Sequence, residues 1–285
     1  MLSRNSGAAT EGSAPSTPAK AGDLRTRVFS ALVLGPIVLG IVWLGGWAFH
    51  LMILAFALLT VAEWVRLVEP ERPHAPGCMA GLGTVVVLGS LLAWGGGGAL
   101  LAVVVLTPVL YVAARQACRA RHPKLIAVAL PYVAGGAAGL AWLREDAAAG
   151  LGVFLLVLLA VWATDTGAYA AGRLIGGPKL APRVSPKKTW AGLLGGMLAS
   201  GISAWAIARG FGAASPATAA ALGAGIAVVS QMGDLFESWV KRRYGVKDSG
   251  HLIPGHGGLL DRVDGLLVAA PVFALLHAAS RGPWW

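Results

Sequence analysis

Two aspartates three residues apart, Asp261 and Asp264, stand at the start of an apolar run over residues 266–277. If that run is helical, both carboxylates lie on one face of its first turn, an arrangement suited to a divalent cation. Just ahead of them, Gly255-His256-Gly257-Gly258 follows Pro254. Three glycines around one histidine let the backbone come close to a ligand and turn its N–H groups toward an anion. Lys241, Arg242 and Arg243 would attract the same anion. With Lys247, Asp248, His251 and Arg262 they make residues 238–265 a dense polar stretch in a chain only 13% charged. The Lys/Arg cluster alone also reads as a solvated basic loop between two helices, the rule on the inner side of membrane proteins. Glycines, histidine and paired aspartates together point instead to a phosphate and metal site.

Two further constellations carry the same chemistry. Asp165 lies within an apolar helix with Tyr169 one turn on; an ionisable group there is costly and normally faces a bundle interior or a watery cavity. Behind it come Arg173, Lys179, Arg183, Lys187 and Lys188, broken up by Gly176-Gly177-Pro178, Pro182 and Ser185-Pro186. The prolines and glycines prevent a plain helix, and the cations with the Ser185 and Thr189 hydroxyls could surround a triphosphate. In residues 230–238, Ser230, Asp234, Glu237 and Ser238 share one helical face. A carboxylate on that face can lean toward the Asp261/Asp264 turn.

These residues resemble the signature of the phosphatidate cytidylyltransferases, also called CDP-diacylglycerol synthases. The resemblance is carried by Ser238-x-x-Lys241-Arg242, Lys247-Asp248 and His256-Gly257-Gly258-x-x-Asp261-Arg262-x-Asp264. Asp165-x-Gly167-Ala168-Tyr169, Gly172-Arg173 and Ser185-Pro186-x-Lys188-Thr189 match a second region of the same signature. Many members carry Glu or Gln where this chain has Ala191, which is therefore given no role. The resemblance covers the C-terminal ~125 residues strongly; the first five apolar runs match only in being hydrophobic. It implies transfer of CMP from CTP to phosphatidate, giving CDP-diacylglycerol and pyrophosphate. It also implies Asp234 and Asp261 as ligands of Mg²⁺, to which the spacing argument adds Asp264, and a homodimer.

The catalytic set expected on these grounds is Lys188, Asp234, Asp261, Arg262 and Asp264. Substrate contacts are expected from Asp165, Tyr169, Arg173, Ser185, Lys188, Thr189, Lys241, Arg242, Lys247, Asp248, His256, Gly257 and Gly258. The phosphate nucleophile is already anionic at neutral pH, so the task is to bring two polyanions together, and cationic clamps, a divalent ion and in-line positioning are the remedies. Nothing offers the Cys/His set expected for zinc. Cys78 and Cys118 lie in different segments without ligand spacing.

The elements that must hold these groups are membrane helices. The 285 residues are 56% hydrophobic with mean hydropathy +0.69, which describes an all-α, polytopic integral membrane protein. At the ~20 residues needed per crossing, about nine spans fit: 28–46, 47–67, 80–95, 98–114, 125–143, 150–172, 190–209, 215–240 and 263–280. Residues 1–23 read as a disordered tail, 24–145 as an N-terminal membrane unit and 146–285 as the catalytic unit. With the N-terminus inside, all of the 23 Lys and Arg residues except Arg144, Arg209 and Arg281 fall on the inner side. That places the site at the cytoplasmic face of the inner membrane, where cytosolic CTP and a bilayer lipid can meet. The formal charge of +10 is scattered between apolar runs rather than gathered on one soluble face, which argues against nucleic acid. Glu63, His50 and His277 are read as structural or interfacial. Two rivals stand beside this reading: an ion-coupled transporter using Asp165 and Asp234 as a relay, and a CDP-alcohol phosphotransferase, faintly suggested by Asp261-x-x-Asp264-Gly265.

Overall fold

A chain this apolar in lipid must satisfy every backbone polar group within itself, and helices do so segment by segment. The computed structural model describes residues 21–146, 149–250, 252, 257–280, 284 and 285. The predicted tail up to residue 20, and His251 and His256 of the glycine-rich stretch, lie outside them. Helix α1 (Ala21–Leu44) meets α2 (Gly46–Val68) at Gly45, whose positive φ of 66° permits a tight reversal. Helix α3 (His74–Gln116) is broken at Gly95, with φ 68° and ψ −164°. A Cβ on Gly98 would lie 2.8 Å from the Ser90 carbonyl oxygen, and Cys118 Sγ sits 3.5 Å from Met79 Sδ. Eight residues of straight helix would separate the first pair by about 12 Å, so the two halves of α3 fold back along each other. The glycine run that separated two short predicted spans is the tip of this hairpin.

Helix α4 (Pro123–Ala129) continues through a π-turn (Leu130–Ala134) into α5 (Gly135–Glu145). The π-turn places Tyr132 edge-on to Trp64 and Phe236, with ring centroids 5.2 Å apart in both pairs. Trp64 also stacks on Phe236 and donates its indole N–H to the Leu125 carbonyl at 2.7 Å. This aromatic cluster ties α2 to α8 beside the polar residues of both. Next come α6 (Gly150–Leu174), a hairpin of β1 (Lys179–Ala181) and β2 (Ser185–Thr189), α7 (Trp190–Gly210), α8 (Pro216–Arg243) and α9 (Leu260–Ala279). The strands pair antiparallel, Lys179 opposite Thr189 and Ala181 opposite Ser185. Positive φ at Gly176 and Gly177 turns the chain out of α6 into the hairpin, the one two-stranded sheet among the described residues. Thr189 then caps α7, its Oγ1 accepting the Gly192 N–H at 3.0 Å.

Seven of the described helical segments are long and apolar enough to cross a bilayer, α4 through α5 counting as one, and α1 adds a shorter apolar piece, Leu32–Leu44. The protein is predominantly helical and multi-pass. Small residues set the tightest contacts. A Cβ on Gly167 would fall 2.6 Å from the Gly195 carbonyl oxygen, and one on Gly139 would fall 2.7 Å from Pro271 N. The first contact joins α6 to α7 and the second α5 to α9. Trp43, Trp47 and Trp94 are exposed, whereas Trp284 is buried against Phe273 and His277. His50 and His277 pair with Glu145 and Asp146 at 3.1 and 3.2 Å, far from the polar stretches.

Candidate active site

The two polar constellations that are distant in sequence meet through one ion pair. Lys188, at the end of β2, donates from Nζ to Asp234 Oδ2 at 2.8 Å, and both side chains are about four-fifths buried. The hairpin makes this possible: strand pairing holds Lys188 one residue before the capped start of α7, and α7 packs on α8. Asp165 of α6 is exposed and within electrostatic reach of both partners. One turn along, Tyr169 accepts a hydrogen bond from Arg173 at 3.0 Å.

Asp234 reaches α9 because two glycines remove the side chains between the helices. A Cβ on Gly233 would lie 2.7 Å from the Asp264 carbonyl oxygen, and one on Gly265 would lie 2.8 Å from Asp234 Oδ1. One turn further along α8, Glu237 is 1% exposed and lies against the carboxyls of Asp261 and Asp264. Lys241 balances this group, donating to Glu237 Oε2 at 2.8 Å and to Asp261 Oδ1 at 2.7 Å. Asp234, Glu237, Asp261 and Asp264 are thus four carboxylates from two helices, held with Lys188 and Lys241.

Asp261 has a second task. Its carboxylate accepts the backbone N–H of Ser249 at 3.0 Å and that of Gly258 at 3.0 Å, fastening both ends of the glycine-rich loop. A side chain on Gly258 would collide with Ser249 Oγ and come within 2.9 Å of Glu63 Oε2. The Gly257-Gly258 pair therefore lets the backbone approach Asp261, Glu63 and Ser249, a packing reason that the ligand argument had not included. Glu63, set aside on sequence grounds, comes from α2 and is 4% exposed. Its Oε2 accepts the Leu260 N–H at 2.8 Å, satisfying the first turn of α9 and placing an anion at that helix N-terminus.

The remaining expected residues fall around this core. Ser185 and Thr189 are on β2, and Thr189 is buried as the α7 cap. Arg173, Arg242, Lys247 and Asp248 are exposed on the same end of the protein, Arg242 reaching toward the Val246 carbonyl at 3.5 Å. Arg262 is exposed and lines an apolar groove together with Leu259 and Val263.

The donors gathered here are hard oxygens. Among the described residues no three of His, Cys, Asp or Glu converge closely enough to enclose an ion unaided. Buried Glu237 Oε1 has no hydrogen-bond partner, and the counter-charges beside Asp234 and Asp261 are the lysines Lys188 and Lys241. Such a set fits a Mg²⁺-type ion, which binds through one or two carboxylates and completes its shell with water and substrate phosphates.

Comparison with known proteins identifies the family. Residues 25–280 match the cytidylyltransferase family. A phosphatidate cytidylyltransferase of Brucella suis is 40% identical over 264 residues, 92% of this chain and 96% of its own. The enzyme of that name from Pseudomonas aeruginosa is 40% identical over 271 residues, covering 91% and 99%. That from Haemophilus influenzae is 41% identical over 162 residues, about half of each chain.

Proposed function

Because the chain belongs to the cytidylyltransferase family, we propose that it transfers CMP from CTP to phosphatidate, releasing pyrophosphate. The observation that carries this reading is the Lys188–Asp234 bridge, which makes one site of the 165–189 and 234–264 regions. In the reaction, a phosphate oxygen of the lipid attacks the α-phosphorus of CTP, and the bond to the β-phosphate oxygen breaks. The protein's share is positioning and charge neutralisation. Arg173, Lys188 and the Ser185 hydroxyl face the nucleotide phosphates, with Asp165, Tyr169 and Thr189 shaping that side. Lys241, Arg242, Lys247, Asp248, Gly257 and Gly258 bound the opposite side, and the family likeness adds His256 as a substrate contact. An arriving triphosphate offers Lys188 a second anion and leaves an Asp234 oxygen free. Asp234 and Asp261, with Asp264 behind them, would hold Mg²⁺, which when bound neutralises phosphate charge.

The direct test is formation of CDP-diacylglycerol from labelled CTP and phosphatidate by detergent-purified protein. Product should appear only with a divalent cation, and ATP should replace CTP poorly. Folded protein that transfers no nucleotide would remove the reading.

The reversals at Gly45 and Gly95 support nine crossings, and the gathering of Lys and Arg on one side of them supports an inside N-terminus and a site on the cytoplasmic side of the cell membrane. A cysteine placed in loop 177–188 or 244–250 should then react only with reagents admitted to the cytoplasm; labelling of either from outside would reverse the topology. A homodimer, implied by the family likeness, is tested by the mass of the protein–detergent particle.

A further inference from the structure

Beside the polar site runs a groove of about 420 Å³, walled by α1, α2, α5, α6 and α9. Gly35, Phe56, Leu158, Trp162 and Leu266 are among its lining residues, and it is apolar except at Thr60 and Arg262. Thr60 gives its hydroxyl to the Phe56 carbonyl of its own helix at 2.7 Å. Arg262, one residue from Asp261, is the charged residue among the lining. Helix α1 packs chiefly on α2, and its residues Leu34 and Leu39 are exposed while also lining the groove. The slot is therefore flanked by a helix facing lipid, and its inner end adjoins the carboxylate cluster.

We infer that this groove holds one acyl chain of the phosphatidate, with Arg262 beside the headgroup phosphate; the inference rests on the proposed reaction. The lining selects a lipid with an anionic head, since an apolar wall ending in one guanidinium complements a hydrocarbon tail ending in phosphate. Hydrophobic transfer does not drive the binding, because lipid tails are as apolar as the groove. Its contribution is orientation: a chain fixed along α2 and α9 delivers the phosphate to Asp261 in a defined pose.

Depth makes this testable. Gly35 lies ten residues before the Gly45 turn and Glu63, which touches Leu260, eighteen after it. Gly35 is thus about 12 Å deeper in the membrane than the start of α9. A Cβ on Gly35 would meet nothing within 4 Å, and the same holds for Gly40, which lies outside the groove. Gly35→Phe should fill the slot without a backbone clash, and Gly40→Phe is its control on the same helix.

In mixed micelles, Gly35→Phe should lower kcat/KM for dihexadecanoyl phosphatidate at least tenfold, through lipid KM, with CTP KM unchanged. Dihexanoyl phosphatidate, whose chains end short of Gly35, should be used within twofold of wild type, and Gly40→Phe should match wild type on both lipids. Wild-type handling of the long-chain lipid by Gly35→Phe, or equal losses on both lipids, would overturn the groove assignment and leave the proposed reaction standing. No product from wild-type protein with either lipid would overturn the reaction itself. Should Gly35→Phe fail to insert, wild-type protein decides the matter with a phosphatidate carrying a diazirine near the chain end. Adducts are expected on residues 52–60 or 154–162, suppressed by unlabelled phosphatidate and not by phosphatidylcholine. Adducts confined to other helices, or suppressed equally by both lipids, would rule the groove out.

Discussion

Asp234→Asn is expected to lower kcat/KM for nucleotidyl transfer by about a hundred- to a thousandfold, the scale seen when one preorganised electrostatic group is removed. The protein should remain folded and inserted. Asp234 makes its one described hydrogen bond to Lys188, and the asparagine carbonyl can still accept from Nζ; what disappears is the negative charge. Asp261→Asn should lose at least as much activity but for two reasons. Every hydrogen bond described to Asp261 comes from a donor: Lys241 Nζ and the N–H groups of Ser249 and Gly258. An amide NH₂ cannot replace an oxygen there, so the Ser249 and Gly258 N–H groups should also exchange faster with solvent deuterium. Lys188→Met combined with Asp234→Asn should cost less than the sum of the single changes, because each removes the other's partner. Wild-type turnover in both aspartate variants would end the assignment of these carboxylates to the reaction.

What could be read from the chain alone follows from how local each signal is. The bilayer forces long apolar runs, so the span at 125–143 appears as Pro123–Glu145 and that at 150–172 as Gly150–Leu174. The glycine run at 95–98 marked a break, and a positive φ at Gly95 explains it. The 177–188 segment was legible as non-helical, but not as a β-hairpin, because three to five residues broken by proline carry little strand pattern. Glu237 could be placed on the face of Asp234 by helical spacing. That it is the buried centre of the cluster depends on Lys241, Asp261 and Asp264 closing around it from two helices. Lys188 and Asp234 are 46 residues apart and Glu63 and Leu260 are 197 apart; no periodicity joins such pairs. For Glu63 one signal did exist: a single carboxylate within the apolar sequence Thr60-Val61-Ala62-Glu63-Trp64-Val65 is costly in a membrane helix and calls for a partner.

That residue carries the second large expectation. Glu63→Leu should reduce turnover by a hundredfold or more and lower thermal stability, while Glu63→Gln should stay within about tenfold of wild type, an estimate resting on the hydrogen bond it retains. The two variants separate because of what faces the carboxylate. Oε2 takes the Leu260 N–H at 2.8 Å, and a glutamine carbonyl can take the same bond. Leucine leaves that buried N–H unsatisfied at about 1–3 kcal/mol and also removes the anion from the N-terminus of α9. Asp261 is the next residue, so a displaced first turn moves the carboxylate that fastens Ser249 and Gly258 and faces Lys241. Because Glu63 acts through this turn, it is a positioning residue, and loss should fall on kcat more than on CTP KM. Trp64 beside it is locked by Leu125, Tyr132 and Phe236, so Glu63 cannot follow a shifted α9. Through this one side chain the N-terminal helices, whose sequence carries no signature of the reaction, support the geometry of the site. Steady-state kinetics of both variants, with unfolding followed in the same detergent, check the point; equal activity in Glu63→Leu and wild type would make α2 a bystander.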